Sequence, residues 1–139
     1  MADLYLDANN QIVGRLGSTV AKTLLKGNKV FVINAERAVI SGSPKPTIEL
    51  YKTKTVRGDP YNGPFYPKTP DRMIKRVVRG MLPKNNKGRE ALKKLIVYLS
   101  KPEEFESKQF TQLEAAENKL PGKFLTLGEI CSELTGKKY

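Results

Sequence analysis

A chain of 139 residues is long enough to bury a hydrophobic core as a single domain, and its 39% hydrophobic and 28% charged residues are ordinary for a globular protein. The charge balance is not ordinary, because 25 Lys and Arg against 14 Asp and Glu give a net charge of +11, which favours polyanions such as nucleic acid. With no histidine and one cysteine, Cys131, the sequence excludes Ser-His-Asp and Cys-His catalysis, an internal disulfide and most zinc sites.

The N-terminal residues, the lone cysteine and the charge distribution predict the location and the domain organisation of the protein. The N-terminal "MADLYLDANN" lacks the charged and apolar regions of a signal peptide, and no apolar run is long enough to cross a bilayer. A lone cysteine suits a reducing cytosol, so we expect a cytoplasmic protein. Residues 1–100 carry a net charge of +12 and residues 101–139 a net charge of −1. We therefore predict one domain over 1–139, with a basic core in 1–100 and a near-neutral, helical C-terminal segment in 101–139.

The first third of the chain has the pattern of a strand–helix–strand unit. Residues 4–8 alternate in polarity and precede a turn, which predicts a strand. Residues 12–27 repeat apolar side chains at helical spacing and end at Gly27, which predicts a helix. The β-branched run 29–34 is typical of a strand buried on both faces, as in a parallel sheet.

The middle of the chain predicts three helices and two further strands. A short strand is expected at 38–40, and Ser43 with Pro44 is typical of a helix start. A long loop over 56–69 leads to Thr69 and Pro70, which predict the start of the next helix. Its apolar stripe consists of Met73, Ile74, Val77, Val78 and Met81. "LPKNN" interrupts the helical pattern, a helix resumes over 87–95, and "IVYL" at 96–99 predicts a strand.

The last quarter predicts two more helical stretches. Residues 112–119 are polar and helical in pattern, and Pro121 with Gly122 ends them. Thr126 and Glu129 have the spacing of a capping box, which predicts a terminal helix with Leu127, Ile130, Cys131 and Leu134 facing the core. In that position Cys131 is interpreted as a core residue and not as a nucleophile.

"VGRLGS", residues 13–18, places Gly14 and Gly17 between a predicted strand and a predicted helix. A glycine-rich turn at a helix N-terminus can hold a phosphate through backbone N–H groups. The spacing is neither G-x-G-x-x-G nor a Walker A loop, so tight helix–sheet packing is the favoured interpretation over a nucleotide site. Arg15 and Ser18 could still meet an RNA phosphate there.

The strongest functional signal is the charge in residues 68–94, where ten cations face only Asp71 and Glu90. A merely solvated helix usually alternates acids with its bases, so this pattern favours binding of a polyanion. The break between Gly80 and Asn86 separates two basic helices, and Gly80 allows a positive φ or a close backbone approach. The upstream aromatics Tyr61, Phe65 and Tyr66 either stack on bases or, as we favour, hold the long loop in place.

At these residues the sequence resembles the family of ribosomal protein thirteen of the large subunit. "GRLGSTVAKTLLKG", "VINAE" with "ISG", and above all "VVRGMLPKNNKGREAL" carry the resemblance, with a looser match over "TLGEICSELTG". The archaeal branch fits best. The resemblance implies an α/β fold of three layers, α/β/α, around a mostly parallel four-stranded sheet. It also implies a structural role in binding large-subunit ribosomal RNA and supporting assembly and translation, beside neighbouring large-subunit proteins.

The resulting prediction is a ribosomal RNA-binding protein without enzymatic activity, cofactor, metal, membrane or small-molecule substrate. The residues predicted to bind RNA are Arg15, Lys45, Lys52, Lys54, Arg57, Lys68, Arg72, Lys75, Arg76, Arg79, Gly80, Lys84, Lys87 and Arg89. Two alternatives stay open at this point. One is an enzyme using a nucleotide at Gly14–Gly17 on a Rossmann-like fold, and the other is a regulatory RNA-binding protein that acts off the ribosome.

Overall fold

The computed structural model describes residues 3–58, 61–63, 66–105, 107–118 and 122–137 of the chain. Within these ranges the strands are β1 (Leu4–Asp7), β2 (Val30–Ile33), β3 (Val39–Ser41), β4 (Leu95–Val97) and β5 (Phe124–Thr126). The helices are α1 (Val13–Leu25), α2 (Pro44–Val56), α3 (Pro70–Met81), α4 (Asn86–Lys93) and α5 (Leu127–Thr135). The alternation of strands and helices confirms the predicted α/β class.

The main sheet is built on the predicted strand–helix–strand unit. β1 pairs with β2 in parallel, in a register that places Leu6 beside Val32, and β4 pairs in parallel with the other edge of β2. Their apolar side chains pack against α1 and α3, because those helices turn their leucine, methionine and valine stripes to the sheet. The buried side chains at this interface include Leu6, Val30, Val32, Leu95, Leu16, Val20, Leu24, Met73, Ile74 and Val78.

Four strands were expected in one sheet, and that expectation is not confirmed. Among the described residues the parallel sheet has three strands, and β3 pairs antiparallel with β5 in a separate sheet. The reason lies directly after β2, where Asn34 takes a left-handed conformation with φ 56° and a turn of 3₁₀ helix follows. After this turn β3 pairs with β5, and among the described residues one isolated β-bridge, from Val39 to Ile12, joins β3 to the start of α1.

The other face of the sheet carries aromatic side chains. Tyr5 and Phe31 stack with ring centroids 5.1 Å apart, and Phe105 and Phe110 approach them from residues 103–111. Phe31 keeps partial exposure, so β2 is less completely buried on this face than its apolar run predicted. Among the described residues, the segment over this second face has one helical element, the 3₁₀ turn Glu103–Phe105.

The C-terminal segment is less helical than predicted. Instead of a helix over 112–119, the described residues form a 3₁₀ turn at Glu114–Ala116, flanked by bridges to β1 and to Gln11. The backbone groups bond to the N-terminal part of the chain: Ile12 N–H donates to Ala116 O at 2.7 Å, and Leu113 N–H donates to Gln11 Oε1 at 3.2 Å. Tertiary partners therefore replace the bonds that a helix would make. Pro121 lies outside the described residues.

The terminal helix forms as predicted. In α5, Thr126 Oγ1 accepts from Glu129 N–H at 3.2 Å, and the Glu129 carboxylate accepts from Thr126 N–H at 3.2 Å, which completes the capping box. Leu127, Ile130 and Cys131 are buried. Burial raises the pKa of the Cys131 thiol to about 12, which keeps it protonated at neutral pH. The core interpretation of Cys131 is confirmed.

A candidate nucleic-acid interface between two basic helices

Helix α3 divides its side chains as its sequence predicted. Met73, Ile74 and Val78 are buried, whereas the cations on the opposite side, Arg72, Lys75, Arg76 and Arg79, are exposed. Thr69 and Pro70 occupy the predicted N-cap and first positions, although the threonine side chain makes no capping hydrogen bond. Met81, predicted to be inward, is 42% exposed and rests against Gly17 of α1. Close packing on α1 therefore fixes the cationic face of α3.

The turn between α3 and α4 is fixed by Gly88. A Cβ on Gly88 would lie 1.8 Å from the carbonyl oxygen of Pro83, so only glycine fits at this crossing. Asn85 caps α4, because its side-chain oxygen accepts from Gly88 N–H at 3.0 Å. The buried Leu82 anchors the other side of the turn. These contacts hold the first turn of α4 against the end of α3.

Gly80 behaves differently from the sequence-based expectation of a positive φ. Gly80 lies inside α3, which continues to Met81. It is not one of the described glycines that have a positive φ. The expectation of a positive φ is wrong because α3 continues through Gly80 and ends at Met81, and a close backbone approach at Gly80 stays a prediction. Gly80 is exposed, and a Cβ there would meet no atom within 4 Å. No packing contact within the described ranges requires glycine at this position.

A groove of about 410 Å³ runs between the end of α3 and the start of α4. Its polar lining is cationic and comes from Arg76, Arg79, Lys84 and Arg89, with Gly80 in its wall. A second opening of about 360 Å³ continues it along α3 past Arg72 and Lys75, and the two openings share Arg76 and Arg79. We call this surface the α3–α4 groove. Its described lining contains no acidic side chain, so it presents an uncompensated positive field.

Tyr66 and Tyr51 connect the groove to α2. The rings lie 6.0 Å apart, and Lys54 Nζ lies 5.0 Å from the Tyr51 centroid and 5.4 Å from the Tyr66 centroid. The Arg76 guanidinium lies 5.5 Å from the Tyr66 ring. These are cation–π distances, so the tyrosines orient two of the predicted RNA-binding cations. Tyr66 therefore holds the loop in place as favoured, Tyr61 is 89% exposed, and Phe65 lies outside the described residues.

Seven of the fourteen predicted residues line the α3–α4 groove: Arg72, Lys75, Arg76, Arg79, Gly80, Lys84 and Arg89. Lys54 joins them through the tyrosine pair. The others are exposed elsewhere: Arg15 on α1, Lys45 and Lys52 on α2, Arg57 at its end, Lys68 before α3 and Lys87 on α4. Sequence reasoning did not single out Tyr51 or Leu92, and Leu92 lines both openings. No periodic signal could have placed them there, since the contacts join separate elements.

The glycine pair of α1 is not a phosphate loop. Gly14 and Gly17 both lie within the first two turns of the helix, and Ser18 donates its hydroxyl to Arg15 O at 2.8 Å. A Cβ on Gly17 would be 3.4 Å from Val77 and Met81, so this glycine allows close packing. The packing interpretation was right, but the partner is helix α3 and not the sheet.

The model of the family described as ribosomal protein L13 matches residues 2–104 of this chain. The chain belongs to this family. The large ribosomal subunit protein uL13 of Picrophilus torridus is 44% identical over 137 residues, which cover 98% of this chain and 99% of that protein. The protein of the same name from Methanococcoides burtonii is 44% identical, covering 95% and 97%. That from Saccharolobus solfataricus is 40% identical, covering 94% and 91%.

The family match includes α3, α4 and the whole α3–α4 groove, and the relatives also match the C-terminal segment. Among the described residues, no helix combines the length and apolarity needed to span a bilayer. Likewise, in the part of the chain that the structure describes, no group of His, Cys, Asp and Glu side chains could hold a metal ion.

Proposed function

We propose that the chain is a structural constituent of the large ribosomal subunit that binds ribosomal RNA through the α3–α4 groove and supports assembly and translation. The observation that carries the proposal is the convergence of Arg72, Lys75, Arg76, Arg79, Lys84 and Arg89 on one surface without an acid in its lining. Family membership supports the ribosomal part of the proposal. Its partners are large-subunit ribosomal RNA and neighbouring large-subunit proteins, and its location is the cytoplasmic ribosome.

The shape of the groove suits a nucleic-acid backbone. Arginine side chains predominate in it, and their planar guanidinium groups make paired hydrogen bonds to phosphate oxygens. Gly80 leaves the wall of the groove without a side chain, so a sugar–phosphate backbone can approach the helix closely. The fixed turn at Gly88 keeps the cations of the two helices at a constant spacing, which reduces the entropy lost on binding.

The enzyme alternative has less support. Gly14 and Gly17 are helical residues and do not form a phosphate-binding loop, and the protonated thiol of Cys131 is buried. We infer a structural role without catalysis, cofactor or small-molecule substrate. Saturable micromolar binding of ATP or NAD in calorimetry would instead support the enzyme alternative.

RNA affinity tests the proposal directly. Binding to large-subunit ribosomal RNA fragments should weaken linearly in log affinity against log salt, with a slope of several units, because phosphate neutralisation releases counterions. Arg79→Ala should reduce affinity about tenfold and reduce the slope by about one. Lys123→Ala removes the same charge from an exposed site outside the groove and is the matched control. Equal effects of the two variants, or an affinity independent of salt, would contradict the assignment of the groove.

Cosedimentation separates the ribosomal role from a regulatory role off the ribosome. The native protein in cell lysate should sediment with large subunits and dissociate from them at high salt. A protein found mainly in free RNA complexes would support the regulatory alternative.

A further inference from the structure

A small pocket lies beside the α3–α4 groove, between α1, α2 and α3. Its volume is about 190 Å³, and its lining includes Tyr51, Tyr66, Met73, Val77 and Gly14. The lining is largely apolar, with the two tyrosines as its polar members among these residues. Pockets for drug-sized ligands measure about 300–1,000 Å³, so this one suits a smaller flat group.

The pocket shares one lining residue, Tyr66, with the cationic surface. This side chain lines both the pocket and the second opening of the groove, where Arg72, Lys75 and Arg79 also lie. The Arg76 guanidinium is held 5.5 Å from the Tyr66 ring. A chain of phosphates lying on these cations would therefore pass close to the Tyr66 side of the pocket.

The two tyrosines give the pocket the chemistry that recognises a nucleobase. Their rings offer flat apolar surface, tilted by 54° to each other. Burial raises the pKa of Tyr51 to about 12, and burial also raises the pKa of Tyr66 against the lowering effect of Arg76. Both hydroxyls therefore stay protonated at neutral pH and can donate hydrogen bonds.

We propose that this pocket receives one nucleobase extruded from the RNA whose backbone lies in the α3–α4 groove. Single-stranded RNA is recognised in this way, by bases that leave the stack and pack on aromatic and arginine side chains. Gly14 also lines the pocket and contributes no side chain to it. The inference rests on the proposed function, because the groove must bring the RNA to the pocket.

The test uses a short oligouridylate with one central 2-aminopurine, bound at low salt. Anisotropy of a terminal fluorescein measures affinity, and the emission of 2-aminopurine reports the surroundings of the base. In the wild-type complex the emission should change, and the base should be protected from quenching by acrylamide. An unchanged emission together with full access to acrylamide at saturation would overturn the proposal without any variant.

Gly14→Leu adds volume to the lining of the pocket, and its Cβ has room because no atom lies within 4 Å of that position. The variant should abolish the emission change and weaken binding about tenfold, the loss expected from one stacked base. Gly122→Leu is the control, since Gly122 also has open space around it and does not line the pocket. Wild-type emission and affinity in Gly14→Leu would refute base insertion. Arg79→Ala separates the two proposals: if it also leaves affinity unchanged, the groove assignment fails as well.

Discussion

Gly80 and Gly88 are both helical, yet replacing them with alanine should change stability in opposite directions. Gly80 is exposed in α3, and a Cβ there meets no other atom within 4 Å. Gly88 is buried in the first turn of α4, and its Cβ would lie 1.8 Å from the oxygen and 2.9 Å from the carbon of the Pro83 carbonyl. The two positions flank the same turn, so each serves as the control for the other.

The magnitudes follow from these distances. Gly80→Ala should raise the free energy of unfolding by about 0.5–1 kcal/mol, because alanine loses less backbone entropy than glycine on entering a helix. For a chain of this size that raises the melting temperature by about 2–4 °C. In Gly88→Ala, α4 must move from Pro83 by about 1.5 Å to restore an ordinary carbon–oxygen contact of about 3.3 Å. Such overpacking costs about 1–3 kcal/mol, and disturbing the Asn85 cap adds about 1 kcal/mol.

Urea unfolding of both variants measures the stability, and binding to a ribosomal RNA fragment measures the function. If RNA backbone approaches α3 at Gly80, the stabilised Gly80→Ala variant should bind about tenfold more weakly. An extra methyl group at a packed contact costs about 1–3 kcal/mol, and about 1.4 kcal/mol corresponds to a tenfold loss of affinity. A Gly88→Ala variant as stable as wild type would refute the geometry of the turn. A Gly80→Ala variant with wild-type affinity would refute close approach at Gly80.

Three further predictions concern charge, pH and capping. Arg79→Ala should change the thermal midpoint little, since substitutions at exposed positions usually change the unfolding free energy by about 0.5 kcal/mol or less. An unfolded variant would show instead that Arg79 is needed for folding. Unfolding free energy should fall as pH rises from about 9 to about 12, because burial raises the pKa of the Cys131 thiol from 9.0 to about 12. A folded-state pKa above the unfolded value stabilises the protein below the unfolded pKa, and this stabilisation is lost as pH rises through the folded pKa. Urea titrations of Cys131→Ala should show a weaker fall, and an equal fall would exclude the thiol as its source. Thr126→Ala should destabilise the protein by about 1 kcal/mol in the same assay, and no loss would mean that the capping box contributes nothing.

Elements set by local chemistry could be predicted from the sequence. The stripe of α3 and the cations opposite it follow directly from helical periodicity, since the side chains of one helix face share one environment. The capping box of α5 needs only Thr126 and Glu129 at the right spacing. The same local rules placed seven predicted RNA-binding residues on one surface, because α3 and α4 are adjacent in the chain.

Elements that depend on distant partners could not be predicted in this way. Residues 112–119 have a helical composition, but among the described ones Leu113 and Ala116 bond to Gln11 and Ile12, roughly a hundred residues earlier, and no local pattern records such a partner. β3 has the composition of a sheet strand, so its sequence does not reveal which strand it pairs with. It follows the left-handed turn at Asn34 and pairs with β5 outside the parallel sheet. At Gly80 the break in the helical pattern predicts a positive φ or a close backbone approach, whereas α3 continues through Gly80 to Met81.

The pairing of β3 with β5 has a consequence for synthesis. Ile40 and Leu125 are register partners, so the second strand leaves the translating ribosome long after the first. Domains fold from the N-terminus as they emerge, and contacts of high sequence separation form slowly. Until β5 arrives, β3 has an open hydrogen-bonding edge that can recruit another extended chain. The nascent protein is therefore most exposed to mispairing in the interval when α3 and α4 have emerged and residues 124–126 have not.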